Sequence, residues 1–126
     1  MIFELSSKKS LEEIDSGLRD AAMRHQFGVI AVHDLKATMR NKGVEYPDDC
    51  MVYEICNPNQ AKKALEANGA VSSALPCRIS VYRAGEDYRI STILPTAMMQ
   101  MFQGPGLEAV AREVERDVVA MMKESA

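Results

Sequence analysis

Met51-Val52-Tyr53-Glu54-Ile55-Cys56-Asn57-Pro58-Asn59-Gln60-Ala61 runs a strand pattern straight into a helix pattern. From Met51 to Cys56 the side chains alternate, with Val52, Glu54 and Cys56 on one side and Met51, Tyr53 and Ile55 on the other. That is the period of a strand with both faces in use. Asn57 then suits the N-cap, and Pro58 suits the first helical position, where a missing N–H costs nothing. Ala61, Ala64 and Leu65 form an inner stripe, Lys62 and Lys63 face water, and Asn68-Gly69 closes the helix. Further on, Arg78 to Arg83 returns to alternation, with Ile79 and Val81 opposite Ser80 and Tyr82. Ala84-Gly85-Glu86 is a hairpin turn into a partner strand, Tyr88 to Ile93.

Upstream, Ile2 to Leu5 reads as a first strand. Ser10 and Glu13 make a capping box, and Leu11, Ile14, Leu18, Ala21 and His25 recur on one face, so a helix is predicted from about 11 to 25. Gly28 and the run Val29 to Val32 give a second strand, after which Asp34 caps a short helix stopped at Gly43. Cys50 falls in the loop after Pro47-Asp48-Asp49. Beyond Pro95 comes a Met-rich stretch, Met98, Met99, Met101 and Phe102, read as an apolar lid. Gly104-Pro105-Gly106 then leads into a last helix striped with Leu107, Val110, Val114, Val118 and Met121.

The predicted order is β-α-β-α-β-α-β-β-α. This is an α+β fold, a small mainly antiparallel sheet with helices packed largely on one face, in a single domain over residues 1–126. A ferredoxin-like arrangement is the second topology compatible with these signals. Length and composition agree: 126 residues, 47% hydrophobic and 26% charged, suit one globular core and exclude disorder and fibrous repeats.

Charge and composition also narrow the function. A net charge of −3, with no basic block, offers nothing to neutralise a run of phosphates, so nucleic acid is not an expected partner. No window approaches the roughly twenty apolar residues of a membrane span, and the first residues hold no signal-like apolar stretch, so no membrane partner is expected. Three cysteines are too few for a secreted disulfide framework, which points to a cytoplasmic location. P-loop, GxGxxG, HExxH and GxSxG motifs are all missing, and with them the usual parts for nucleotide hydrolysis, dinucleotide binding, zincin chemistry and serine hydrolysis.

Two short motifs stand out: the extended run ending in Cys56-Asn57-Pro58 before a helix with an early Ala61, and Leu75-Pro76-Cys77-Arg78 opening a strand. The pair resembles the family called domain of unknown function 302 (DUF302). The likeness covers residues 2 to 94, including Phe27-Gly28-Val29 to Gly43-Val44, and extends to the last helix. The resemblance implies a compact α+β fold with a mainly antiparallel sheet, assembled as a homodimer. It supplies no reaction. An exposed Val/Met stripe on the last helix would be the natural dimer contact.

The residues themselves suggest a site. Cys56 ends a strand at the start of a helix, where free amides and the positive dipole end favour a thiolate and can hold an anion. Cys77 begins the strand to which that helix connects, so the two thiols meet only if those strands are antiparallel neighbours. The leading reading is a ligand-binding or sensing site for a small molecule or anion, built from Cys56, Asn57, Cys77 and Arg78. An alternative is a thiol redox or sulfur-transfer enzyme with Cys56 as nucleophile, Cys77 as resolving thiol and Glu54 as a proton acceptor on the Cys56 face. A third is that both cysteines are inert core residues in an interaction dimer. As metal ligands, Cys56 and Cys77 form half of a zinc set, which a dimer would have to complete. A cofactor is another occupant such a site could take, and the sequence leaves its identity unknown. His33 beside Asp34 reads as a strand end and cap, and His25 as a boundary residue of the first helix.

Overall fold

Ser10 starts the first helix as its sequence requires. Its hydroxyl accepts from the Glu13 amide at 3.1 Å, and the Glu13 carboxylate accepts from the Ser10 amide at 3.0 Å. The computed structural model describes all 126 residues. In chain order the elements are β1 (Ile2–Ser7), α1 (Leu11–Arg24), β2 (Gly28–Asp34), α2 (Leu35–Asn41), β3 (Cys50–Cys56) and α3 (Pro58–Ala67). A short 3-10 turn (Gly69–Ala74) follows, then β4 (Cys77–Ala84), β5 (Asp87–Ile93), α4 (Pro95–Met99) and α5 (Leu107–Ser125).

The five strands form one sheet in the order β1-β5-β4-β3-β2. Every neighbouring pair is antiparallel. β2 to β5 make a meander, and β1 closes against the far side of β5. The ferredoxin-like alternative falls on strand order: its split βαβ units leave a third strand between the two that a helix joins, whereas here α2 and α3 each join strands that are adjacent and antiparallel. The α+β reading holds.

Alternation decides which side of the sheet is covered. Tyr53, Ile55, Ile79, Val81 and Ile90 share one face with Ile14, Leu18, Ala21 and Ala22 of α1 and with Val114, Val118, Met121 and Met122 of α5, in a single buried cluster. Each large side chain removed from water contributes about 1.5–3 kcal/mol before conformational entropy is counted. The α5 stripe is therefore spent on the chain's own core. The expectation that it would lie exposed as a dimer contact is corrected: Val118, Met121 and Met122 are 0% exposed.

The opposite face of the sheet carries no helix and is polar. On it Tyr82 donates to Glu4 Oε2 at 2.6 Å, Ser91 donates to the same oxygen, and Arg89 lies 3.5 Å from Oε1. These hydrogen bonds, Ser91 first and Tyr82 second, hold the Glu4 carboxyl below its ordinary range.

Cys50 is the first residue of β3, paired with Tyr82, rather than a loop residue. The Met-rich stretch folds into α4 and a turn. One end of that segment is held by Glu115, which accepts from the Thr96 amide and hydroxyl at 3.1 and 2.6 Å. The other end presses on α3: Asn68 Nδ2 donates to the Gln103 carbonyl at 2.8 Å, and a Cβ on Gly104 would stand 2.6 Å from the Ala67 carbonyl oxygen. Only glycine permits that approach.

Candidate functional site

The register of β3 and β4 sets Glu54 opposite Arg78 and Ile55 opposite Cys77. The end of β3 therefore lies beside the start of β4. Cys56 is one step beyond Ile55, so Cys56 and Cys77 are neighbours offset by one position. Both are half-buried and free. α3 leaves directly from Cys56, and the chain returns to Cys77 through the 3-10 turn and Leu75–Pro76, whose peptide bond is cis.

Both cysteines border a narrow surface cleft with a free volume of about 40 Å³. Its walls are Phe27, Ile55, Cys56, Asn57, Gln60, Ala61, Ala64, Leu75, Pro76 and Cys77, closed by Pro95 and Met99 and by Leu107, Val110, Ala111 and Val114 of α5. The cleft exists because α3 meets α5 through small residues: Ala64 and Ala111 are buried at 5% and 3% exposure. No charged side chain lines it.

Local chemistry sharpens this picture. The expected anion seat at the start of α3 is already filled by the chain itself. Pro58 has no N–H, Asn57 Oδ1 accepts from the amides of Asn59 and Gln60 at 3.1 and 3.3 Å, and the Asn57 carbonyl accepts from Ala61 at 2.9 Å. All the amides that a helix start normally leaves orphaned are satisfied. The Cys77 thiol is pushed up to about 11, chiefly by burial and secondarily by the neighbouring charge of a Cys56 thiolate. At neutral pH it is a protonated, weakly polar wall of the cleft.

The remaining candidates lie elsewhere. Arg78 does not border the cleft; its Nε sits 3.4 Å from Glu54 Oε1. Alternation puts that pair on the helix-free face. Glu54 also approaches His33 Nε2, at 3.5 Å, and its side chain is 20% exposed. Glu54 is thus a carboxylate flanked by two basic side chains, not an isolated surface charge, and it does not line the cleft. Asp34 caps α2 by accepting from the Ala37 amide at 2.9 Å. His25 joins α1 to α5, with Nε2 2.6 Å from Glu124 and Nδ1 3.4 Å from Asp117. Within the chain no group of three or more His, Cys, Asp or Glu side chains is placed to hold a metal ion, so Cys56 and Cys77 lack further donors of this kind from their own subunit.

Sequence reasoning passed over Gln60. It is four residues before Ala64 and so shares the inner face of α3. That spacing was the available signal, obscured by Gln60's place in the first turn beside the cap. Gln60 Nε2 donates to Glu113 Oε2 on α5 at 2.7 Å. Its Oε1 is shut off from water and has no partner.

A family model described as Domain of unknown function DUF302 matches residues 3–125. The chain belongs to the DUF302 family. Among solved structures, the crystal structure of an uncharacterized conserved DUF302 protein from Bacillus stearothermophilus is 23% identical and superposes with a TM-score of 0.93, covering 99% of this chain and 98% of that one. At that identity the likeness speaks for the fold. No curated protein matches the chain. In this DUF302 chain the two motifs that carried the resemblance, Cys56-Asn57-Pro58 and Leu75-Pro76-Cys77-Arg78, build opposite ends of the connection around the cleft, and no helix is long and apolar enough to cross a membrane.

Proposed function

We propose that this DUF302 protein is a small ligand-binding or sensing protein whose site is the cleft at Cys56, Asn57 and Cys77, with Gln60 added and Arg78 left out. One observation supports it above the others: two antiparallel strand ends and three helices converge on an apolar cleft that opens to the surface, lined by twelve hydrophobic residues out of sixteen. A concave, mostly apolar site with few polar groups is the usual form of a small-molecule pocket.

The thiol-enzyme reading has less support. A resolving thiol attacks as a thiolate, and Cys77 is held protonated well above neutral pH. The inert-core reading has less as well, because Cys56 and Cys77 stay partly exposed. Three free cysteines fit a reducing compartment such as the cytoplasm. Self-association into the homodimer implied by the resemblance belongs on the helix-free sheet face. There the facing pair Ile2 and Ile93 is exposed at 67% and 52%, and Glu4 and Glu54 alternate with Arg78 and Arg89, so a two-fold axis can set unlike charges against each other. A mass of one chain at micromolar concentration in light scattering contradicts that assembly.

Benzene is a simple probe of the site. It should raise the Tm of the wild-type protein, and Ala64→Leu, which fills the cleft, should abolish the shift. An unchanged wild-type Tm at saturating benzene contradicts the binding reading. Iodoacetamide labelling across pH separates the enzyme: a Cys56 thiolate forming well below pH 8.5, the free-thiol value, favours thiol chemistry instead.

A further inference from the structure

A larger concavity than the cleft lies between α4 with its turn and the first turns of α5. It is a groove with a free volume of about 730 Å³. Met99, Leu107 and Ala111 line both cavities and so separate one from the other. The groove is already formed, because the α4 segment is pinned at both ends, by Thr96 on Glu115 and by Asn68 Nδ2 on the Gln103 carbonyl. Its volume falls in the range of about 300–1,000 Å³ usual for small-molecule sites.

Charge in the groove is unbalanced. Arg112 is the one basic side chain among its walls, and Glu108 holds it at 2.7 Å. That leaves Glu115, which is half-buried. Its Oε1 accepts from the Thr96 amide and hydroxyl at 3.1 and 2.6 Å, which fixes the carboxylate in place. Oε2 takes no hydrogen bond, and the carboxylate makes no ion pair. Bracing Thr96 therefore uses one oxygen and leaves a positioned negative charge without a partner. The same groove is walled by Met99, Phe102, Leu107 and Ala111. A fixed carboxylate beside carbon and sulfur suits a cation that brings its own apolar surface. A bare divalent ion does not fit, since it asks for several oxygen ligands and no three acidic, His or Cys side chains are grouped to hold one.

We propose that this groove is a second small-molecule site, and that it takes an amphipathic ammonium, a primary amine carried on an aryl or alkyl body. Glu115 accepts charge-assisted hydrogen bonds from the ammonium, while Met99, Phe102, Leu107 and Ala111 cover the carbon body. The net charge of −3 favours the approach of a cation. An anionic ligand is selected against, because it would have to break the Arg112–Glu108 pair and lie beside Glu115. The inference goes beyond the cleft reading and stands whether or not the cleft binds.

Phenethylamine, protonated at neutral pH, and phenethyl alcohol share a carbon skeleton and differ at the polar end, so their ranking on the wild-type protein needs no variant. Titration calorimetry at low salt should show the amine binding at least about tenfold more tightly. Amide NMR should show saturable shifts at Thr96, Gln100, Gln103 and Arg112, which line the groove and not the cleft. Glu115→Gln keeps an acceptor for Thr96 and removes the charge, and it should bring the two compounds level. Equal or tighter binding of the alcohol by the wild-type protein overturns the inference, as does an amine that never saturates. An amine preference that survives in Glu115→Gln overturns the role of Glu115. Shifts centred on Cys56, Leu75 and Cys77 would put the amine in the cleft and overturn the groove as a separate site.

Discussion

Replacing Cys77 with alanine tests the burial of the cleft thiol through linkage between protonation and folding. In the folded protein the thiol is raised from the ordinary 9.0 to about 11, first by burial and second by Cys56. In the unfolded chain it returns to about 8.5–9. The folded state therefore prefers the protonated form, and its stability is fully present below pH 9 and is lost as pH rises towards 11. A two-unit difference corresponds to about 3 kcal/mol at most, at 1.36 kcal/mol per unit, and about half of that has been lost near pH 10.

Urea unfolding followed by circular dichroism, at intervals from pH 7.5 to 10.5, gives the curve. Tyr53, Tyr82 and Tyr88 are also raised, each by its carboxylate partner or by burial, and steepen the alkaline limb in both proteins. The difference between wild type and Cys77→Ala isolates the thiol. The variant should start less stable at pH 7.5, through the lost packing, and the gap should narrow steadily above pH 9. Parallel curves across the range would refute the claim that Cys77 is a buried neutral thiol.

Three further outcomes follow from the geometry. Gly104→Ala places a methyl 2.6 Å from the Ala67 carbonyl oxygen, so it should cost about 1–3 kcal/mol in urea unfolding and loosen the α4 segment, read as faster hydrogen exchange at Asn68 and Phe102. Tyr53→Phe removes the 2.7 Å hydrogen bond to Asp15, which ties the buried centre of β3 to α1, and should cost about 1 kcal/mol. Asn57→Ala uncaps α3 and frees the amides of Asn59 and Gln60, costing about 1 kcal/mol of stability; if the start of α3 is a latent anion seat, this variant and not the wild type should gain sulfate binding.

Much of this architecture was legible in local pattern. Ser10 and Glu13 announced a capping box that forms as read, Asn57-Pro58 marked the start of α3, and alternation from Met51 to Cys56 and from Arg78 to Ile93 gave three strands and the side each residue faces. What failed was long-range. Whether the α5 stripe meets the sheet or another chain cannot be seen in its spacing, since both partners ask for the same apolar period. The pairing of β1 with β5, which puts β1 at the sheet edge, depends on residues 81 to 91 positions apart.

The site shows the same division. Cys56 and Cys77 were visible as a pair, and their meeting required only that β3 and β4 run antiparallel. The amides at the start of α3 looked free because a cap residue in sequence does not show which donors it will satisfy. Gln60 was passed over because its partner Glu113 is 53 positions away. Arg78, adjacent to Cys77 in sequence, was carried to the other face by the pleat, where it meets Glu54.

The central claim is that the cleft between α3, α5 and the ends of β3 and β4 is where this protein meets its ligand. Methyl NMR of protein labelled at alanine, isoleucine, leucine, valine and methionine, titrated with benzene, tests it most directly. Saturable shifts confined to Ala64, Leu75, Met99, Leu107, Val110 and Val114, and abolished by Ala64→Leu, are the predicted result. Shifts that never saturate, or that map to Ile2, Val52 and Ile93 on the helix-free face, would contradict it.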